Sequence, residues 1–263
     1  MFTGRKLNLR HPVTFQDKLN WLKLHDRNPL YTKLVDKYAV REWIAEKIGA
    51  EYLVPLYGVY DRFDEIDFNS LPDKFVLKCT HDSGSVCIVK NKREMDLPAI
   101  REKIERGLAT KQFYLSREWP YKNVKPRIIC EGLLEDKIVQ DLIDYKFYCF
   151  NGEPKVVGVF SGRSSPSGAV ANFYDMDWNL LDIQDCCWPK GNGKDVKPAN
   201  FEMLKNNART LSSGIPHVRV DFYDVEGHPY FGEMTFFESG GRKLFKPFCV
   251  NELWGSWITL PKN

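Results

Sequence analysis

The 263-residue chain lacks any apolar run near the roughly 20 residues that a membrane-spanning helix requires. Its opening segment, MFTGRK, also lacks the apolar stretch of a secretory signal. Internal repeats and low-complexity tracts are missing as well, and hydrophobic residues make up 43% of the chain, which is typical of a globular protein. These features predict a cytoplasmic protein without a membrane span.

A strong charge bias is also missing. Lysine and arginine total 38 against 35 aspartate and glutamate, which gives a net charge of +3. So small an excess does not favour a nucleic-acid partner. Any anion-binding site must therefore be local.

The cysteines lack the spacing of a disulfide framework. There are seven of them, an odd number. The adjacent pair Cys186 and Cys187 suits redox activity or metal binding, but no second Cys or His pair lies nearby at zinc spacing. We therefore expect reduced cysteines that serve mainly in packing.

Helical and strand patterns are interleaved along the chain. Thr14 with Asp17 forms a capping-box signature ahead of a helical period, and a second helical period covers residues 33–48. Later segments are short β-branched and aromatic runs between turn residues, with further helices expected near residues 97–115 and 201–211. Because neighbouring runs resemble hairpins rather than a βα repeat, the predicted fold class is α+β.

The strongest local signal is a β-hairpin pattern near the end of the chain. With the turn centred on Gly227, antiparallel pairing places Asp221 opposite Glu233. The same register places Arg219 opposite Thr235. All four side chains then share one face, and apolar residues occupy the other.

Two opposed carboxylates destabilise a strand pair unless a cation compensates them. Arg219 alone can do so on a solvated polar face. A divalent ion is the alternative, because Mg²⁺ is commonly held by one or two carboxylates together with nucleotide phosphates. The pattern favours neither interpretation over the other.

A lysine inside an apolar strand is the second signal. Lys78 shares its strand face with Val76 and Lys74, so its ammonium group needs an anion or a buried carboxylate. The following loop, THDSGS, offers hydroxyl and N–H groups of the kind that bind phosphate. It is not a P-loop, and for the loop alone an ordinary hairpin turn is the simpler interpretation. The lysine in the preceding strand strengthens the phosphate-binding interpretation.

Two further segments carry charge in apolar surroundings. One apolar strand ends at Glu131 and offers backbone groups for an adenine edge, although a strand end with surface acids is the simpler interpretation. Lys146 lies in another apolar strand, ahead of an Asn-Gly turn, and Arg163 ends the return strand. Together with the opposed carboxylates, these residues suggest a charged interior cleft.

In this order, the segments resemble the ATP-grasp superfamily and, more closely, the TupA-like ATP-grasp proteins. The resemblance rests on DKY at 36–38, EYLVP at 51–55, KFVLKCTH at 74–81, REWPY at 117–121, KF at 146–147 with NG at 151–152, and VRVDFY at 218–223. It implies an ATP-grasp fold, in which two α+β subdomains clasp ATP behind a small helical N-terminal segment. We expect the N-terminal segment at residues 1–60 and the subdomains at 61–138 and 139–263.

The resemblance also implies roles for individual residues. The implied nucleotide-binding residues are Lys78, His81, Ser83, Gly84, Glu131, Leu133 and Lys146. The implied Mg²⁺ ligands are Asp221, Glu233 and Thr235. The implied catalytic residues, which neutralise the transferring phosphoryl group, are Arg163, Arg219 and Lys146.

Three departures from the superfamily pattern bear on these roles. Thr235 stands where an Asn ligand is usual, and Asp82 introduces a carboxylate into the small-residue loop, where Ser85 also departs from the relatives. Glu238 follows the metal strand and is an acid that can replace the missing ligand.

As a function, the resemblance implies an ATP- and Mg²⁺-dependent carboxylate-amine ligase of bacterial surface polysaccharide biosynthesis that works through an acyl-phosphate. Its implied partners are an amine or amino acid and a glycan precursor bearing a carboxylate, such as a uronic acid. Two alternatives are a kinase or glycosyltransferase-like activity on the same precursor, and a nucleotide-binding accessory protein without turnover.

Overall fold

The structure, a computed structural model, describes residues 6–137, 141–162 and 168–261. It divides into two compact units. Residues 28–134 form the small-sheet unit, and residues 1–27 with 135–263 form the large-sheet unit. Each unit combines helices with antiparallel strands, so the predicted α+β class is confirmed. The predicted boundaries at residues 60 and 138 are a different division and stay a prediction.

The small-sheet unit contains a four-stranded sheet in the order β1-β4-β2-β3. Its strands are β1 (Leu56–Tyr60), β2 (Phe75–Cys79), β3 (Cys87–Val89) and β4 (Ile128–Gly132). Its helices are α2 (Leu30–Val35), α3 (Val40–Lys47), α4 (Leu97–Ala109) and α5 (Gln112–Ser116).

Strand β2 alternates between a buried core face and a polar face. Phe75, Leu77 and Cys79 enter a hydrophobic cluster that also contains Ile104 of α4. The intervening residues, Val76 and Lys78, point to the opposite face. The predicted placement of Lys78 is therefore confirmed.

The single helix expected over residues 33–48 is two helices, α2 and α3. The carboxylate of Asp36 lies between them and accepts the backbone N–H groups of Tyr38 (2.9 Å) and Ala39 (3.2 Å). An acid that accepts such bonds stabilises a turn rather than the continuation of a helix. The chain therefore turns at Asp36.

The large-sheet unit contains a six-stranded antiparallel sheet in the order β11-β10-β5-β6-β7-β8. Its strands are β5 (Asp144–Phe150), β6 (Glu153–Ser161), β7 (Val170–Tyr174), β8 (Leu180–Leu181), β10 (His217–Val225) and β11 (His228–Thr235). A second, two-stranded sheet pairs β9 (Gln184–Asp185) with β12 (Phe245–Lys246). Its helices are α1 (Phe15–His25), α6 (Phe201–Ser212) and α7 (Cys249–Trp257).

The large sheet is apolar on one face and mixed on the other. Helix α6 covers the apolar face, where Phe201 packs against Phe147 of β5. On the other face, Phe15 of α1 and Trp254 of α7 cover the end near Phe150. The rest of that face carries Phe160 of β6 and Phe173 of β7 together with the charged residues described below.

Helix α1 begins as its sequence predicts. The Thr14 side chain accepts the N–H of Asp17, and the Asp17 carboxylate accepts the N–H of Thr14. This capping box satisfies groups that a helix start leaves open. Among the helices that the structure describes, none has the length and apolar character to cross a bilayer.

Candidate functional site

The hairpin of β10 and β11 has the predicted register. Asp221 pairs with Glu233, and Arg219 pairs with Thr235. The intervening pair, Val220 with Met234, is buried on the apolar face. The two carboxylates are therefore opposed on the charged face.

The register arises in a different way from the one expected. The turn consists of two residues, Glu226 and Gly227, both with positive φ, and Val225 pairs directly with His228. Counted from this turn alone, Asp221 would pair with Gly232, one residue before Glu233. A bulge beside Gly232 shifts the register by one and restores the predicted pairing.

Arg219 compensates both opposed carboxylates. Its Nε donates to Asp221 Oδ1 (2.7 Å), and its Nη2 donates to Asp221 Oδ2 (2.7 Å) and to Glu233 Oε1 (2.9 Å). The side chains of Arg219 and Asp221 are buried, whereas that of Glu233 is 48% exposed. One arginine thus holds the pair together, with Glu233 open to solvent.

Lys146 adds a second cation from the neighbouring strand. It lies opposite Asp221 in the pairing of β5 with β10, and its Nζ is 2.5 Å from Asp221 Oδ2. The same ammonium group is 2.8 Å from the Asp144 carboxylate, which is two residues earlier on the same strand face. Lys146 is therefore buried between two acids.

Lys243 is a third cation of this cluster, and it is linked to Arg219 through Glu238. Glu238 Oε1 accepts from Arg219 Nη1 (2.6 Å), Lys243 Nζ (3.0 Å) and Tyr148 Oη (3.1 Å). Lys243 also forms an ion pair with Asp185. Glu238 is buried in this structure and serves as the counterion of Arg219 and Lys243.

These contacts set the pKa values of the buried acids. Burial alone would raise the pKa of Glu238, but Lys243 and Arg219 outweigh burial and lower it to about 2. Burial likewise opposes ionisation of Asp221, yet Arg219 and Lys146 hold its pKa below the ordinary value. Both acids are therefore carboxylates at neutral pH.

The ion pairs join these residues into one cluster. Among the described residues, it contains five carboxyl groups and three basic side chains. The acids are Asp144, Asp185, Asp221, Glu233 and Glu238, and the bases are Lys146, Arg219 and Lys243.

The donor set at the hairpin fits Mg²⁺. Asp221 and Glu233 provide carboxylate oxygens from adjacent strands, and such oxygens suit a hard cation. Thr235 lies beside them and donates its hydroxyl to Glu233 Oε1 (3.3 Å). Because Arg219 contacts both carboxylates, an ion at this position would compete with that side chain.

The small-sheet unit has a smaller ionic cluster on the polar face of β2 and β4. Lys78 Nζ is 2.5 Å from Glu131 Oε2, and Arg41 Nη1 is 2.9 Å from Glu131 Oε1. Arg41 comes from α3 and also donates to the Val54 carbonyl (2.7 Å). Here two cations share one carboxylate.

In the loop after β2, the carboxylate of Asp82 points into the loop. Its Oδ1 accepts a hydrogen bond from Ser85 Oγ (2.6 Å). Ser85 Oγ in turn accepts the N–H of Cys79 (3.0 Å), and Lys37 Nζ donates to the Asp82 carbonyl (2.5 Å). Asp82 is therefore buried within its own loop, and the exposed part of the loop is Ser83 with Gly84.

His81 ties the same loop to helix α4. Its Nε2 lies 3.0 Å from the carbonyl oxygen of Thr110, the residue that caps α4. Since a carbonyl oxygen only accepts hydrogen bonds, Nε2 of His81 must carry the donated hydrogen. Nδ1 is buried without a hydrogen-bond partner among the residues that the structure describes.

Two predicted site residues remain to be placed. Leu133 is partly exposed directly after β4, two residues beyond Glu131. Arg163 lies outside the described residues. The roles of all twelve predicted site residues, including the phosphate role of His81, stay predictions.

Several residues of the two clusters were not among the predicted site residues. Asp144 and Tyr148 could have been found, because strand alternation places them on the face of Lys146. Arg41, Asp185 and Lys243 carry no local signal, since each reaches its cluster from a separate segment.

Comparison with known proteins identifies the family. The model of the TupA-like ATPgrasp family matches residues 17–259. The chain belongs to this family, as its sequence motifs suggested. No curated protein sequence matches it.

Solved structures with a similar fold include ligases. A D-alanine-D-alanine ligase from Helicobacter pylori is 14% identical with a TM-score of 0.48, over 93% of this chain and 69% of that chain. One from Bacillus anthracis, crystallised with ATP, is 12% identical with a TM-score of 0.42, over 78% of this chain and 54% of that chain. D-alanyl-alanine synthetase A from Vibrio cholerae is 14% identical with a TM-score of 0.45, over 84% and 63%. The chain spans about half the length of the Bacillus anthracis enzyme, and these similarities concern the fold alone.

Proposed function

We propose that this protein is an ATP- and Mg²⁺-dependent carboxylate-amine ligase. The observation that carries the proposal is the opposed pair Asp221 and Glu233, with Arg219 and Lys146 on the same sheet face. This face combines carboxylate oxygens for a metal ion with basic groups for a phosphoryl group. Family membership supports the same assignment.

The proposed reaction has two steps. An oxygen of the substrate carboxylate attacks the γ-phosphorus of ATP, so that an acyl-phosphate forms and ADP leaves. The nitrogen of the amine then attacks the acyl carbon, the C–O bond to phosphate breaks, and the nitrogen loses a proton. The products are an amide, ADP and inorganic phosphate.

Such a reaction needs charge stabilisation and positioning rather than a protein nucleophile. Mg²⁺ held by Asp221 and Glu233, with Thr235 as a neutral third ligand, would neutralise the phosphate oxygens. Lys146 and Arg219 would orient the transferring group and stabilise its negative charge. Arg163 is proposed for the same task.

The small-sheet unit would supply the remaining nucleotide contacts. Lys78 would bind phosphate, with Ser83 and Gly84 of the exposed loop providing a hydroxyl and N–H groups. Glu131 and Leu133 would border the adenine. His81 would contribute through its position in the loop, because its Nε2 already bonds the Thr110 carbonyl.

The substrate class is the most specific part of the proposed function. We propose a uronic acid or similar carboxylate on a glycan precursor, joined to an amine or amino acid during bacterial surface polysaccharide synthesis. This part rests on the family association, and the reaction chemistry does not depend on it. A cytoplasmic location is part of the same proposal.

The test is a screen for ADP release across uronic acids and amino acids with Mg²⁺ present. We expect ADP only when both a carboxylate and an amine are supplied, and hydroxylamine should trap the acyl-phosphate as a hydroxamate. Asp221→Asn should lower the rate by about a hundredfold or more, since it removes a metal ligand. Asp182→Asn is the matched control, because the Asp182 side chain is 94% exposed in the same unit.

Other outcomes identify the alternatives. A stable phosphorylated product without amine dependence would indicate a kinase. ATP binding without turnover would indicate an accessory protein. If ATP with Mg²⁺ fails to raise the melting temperature, the nucleotide-based proposal is wrong.

A further inference from the structure

Strand β9 and the turn after it bring three potential metal ligands together. A carboxylate oxygen of Asp185 and the sulfurs of Cys186 and Cys187 all lie within 4.8 Å of one another. The two Sγ atoms are 3.6 Å apart, and both thiols are free. The proposed ligase reaction uses none of the three as a ligand or catalytic group.

The separation of the sulfurs suits a shared metal ion. Two thiolates at about 2.3 Å from a tetrahedral Zn²⁺ are about 3.8 Å apart. The observed 3.6 Å is close to this value. It is much longer than the roughly 2.05 Å of a disulfide bond.

Backbone contacts hold the three residues in place. Asp185 pairs with Phe245 of β12, and the N–H of Cys186 donates to the Leu244 carbonyl (3.1 Å). The N–H of Cys187 donates to Asp185 Oδ1 (2.7 Å). The ligand atoms are thus positioned before any ion binds, which lowers the entropy cost of binding.

The surroundings leave a route for an ion. Cys187 is exposed and Cys186 is partly exposed, whereas Asp185 is buried. Lys243 contacts Asp185 Oδ2. Oδ1 accepts the N–H of Cys187 and has acceptor capacity beyond this bond.

We propose that Asp185, Cys186 and Cys187 form a binding site for a thiophilic divalent ion such as Zn²⁺. Three protein ligands leave one position for solvent, as in open zinc sites. The metal ligand is the thiolate, so binding must release the thiol protons to solvent.

This site and the carboxylate pair at the hairpin differ in chemistry. Thiolates select soft or borderline ions, and carboxylates select hard ions such as Mg²⁺. The two sites can therefore be filled independently. An excess of Mg²⁺ should saturate the hairpin without occupying the thiols.

The test is a titration of the reduced full-length chain with Zn²⁺, and separately with Cd²⁺, in excess Mg²⁺. We expect one equivalent to bind tightly, measured by calorimetry and by competition with a chromophoric chelator. The double variant C186S/C187S should lose at least about tenfold in affinity, because even outer-shell changes cost that much. Cys249→Ser is the matched control, since Cys249 is an exposed thiol outside the cluster and should bind like the unaltered chain.

A third variant and a folding control test the proposed site further. Asp185→Asn should also weaken binding, and unchanged binding in that variant would overturn the three-ligand site. Lack of uptake by the unaltered chain, or equal uptake by C186S/C187S, would do the same. Melting curves without added Zn²⁺ check folding, and the two serine substitutions should leave them unchanged because they lie at the surface.

Discussion

The two ionic clusters of this protein differ in which charge is shared. In the small-sheet unit, Lys78 and Arg41 share the single carboxylate of Glu131. In the large-sheet unit, Asp221, Glu233 and Glu238 share the single guanidinium group of Arg219. The first arrangement places two cations around one acid, and the second places three acids around one cation.

The clusters also differ in their access to water. The Lys78 and Arg41 side chains are 21% and 15% exposed, so water can solvate each cation when it loses its partner. Glu238 and Lys243 are almost fully buried, at 3% and 6%. A charge that loses its partner there stays desolvated. The buried cluster should therefore contribute more to stability, and the exposed one should exchange partners more easily.

The largest expected effect is on stability. Glu238→Gln should lower the free energy of unfolding by about 3–5 kcal/mol, because Arg219 and Lys243 lose a buried counterion. Glu131→Gln, the matching change in the small-sheet unit, should cost only about 1–2 kcal/mol. Urea unfolding of both variants measures the difference. Equal losses would contradict the contrast between the clusters.

The second-largest expected effect is a loss of stability in acid, through the buried cluster around Glu238. The pKa of Glu238 is lowered from 4.5 to about 2 in the folded chain, so its contribution is complete above pH 4.5 and is lost as the pH falls towards 2. This contribution amounts to about 3 kcal/mol. The stability difference between the unaltered chain and Glu238→Gln should therefore shrink over that interval. A difference that stays constant down to pH 2 would argue against it.

Nucleotide affinity tests the cluster around Glu131. Lys78→Met should weaken ATP binding by about tenfold to a hundredfold, since it removes a charge-assisted hydrogen bond to phosphate. Lys90→Met, an exposed lysine just after β3, is the control and should bind ATP normally. Calorimetry with ATP and Mg²⁺ measures both. Unchanged affinity in Lys78→Met would remove Lys78 from the proposed site.

The smallest expected effect concerns Thr235. Thr235→Asn restores the ligand that is usual in the superfamily, and an amide oxygen is a better Mg²⁺ ligand than a hydroxyl. We expect a gain of a few-fold in Mg²⁺ affinity, about 1 kcal/mol. The Mg²⁺ dependence of ADP release measures it. No gain would indicate that Thr235 lies outside the metal site.

Strand alternation accounts for the successful predictions. A period of two placed Lys78 opposite the apolar core and brought Asp221, Glu233 and Arg219 to one face. The hairpin register was predicted correctly, although for the wrong reason. The prediction assumed a turn centred on Gly227, whereas the structure has a two-residue turn and a bulge. Gly232 inside the strand is a local mark of a bulge, but the period of two by itself does not show one.

The incorrect helix over residues 33–48 has a different cause. Its apolar period continues through Asp36, but the Asp36 carboxylate accepts the N–H groups of the turn before α3 and pairs with Arg127 (3.0 Å). Arg127 is far away in sequence, so periodicity within the segment could not reveal this contact. A tertiary ion pair therefore helps to set the helix boundary.

The sequence by itself determined the α+β class, the family and the faces on which the charged strand residues lie, because alternation and motif order are local properties. Only the tertiary structure decided which charges meet. Glu238, Lys243 and Asp185 join the cluster around Arg219 from loops and short strands without a period of their own. Their contact depends on how those segments pack on the sheet, and burial then makes each missing partner costly.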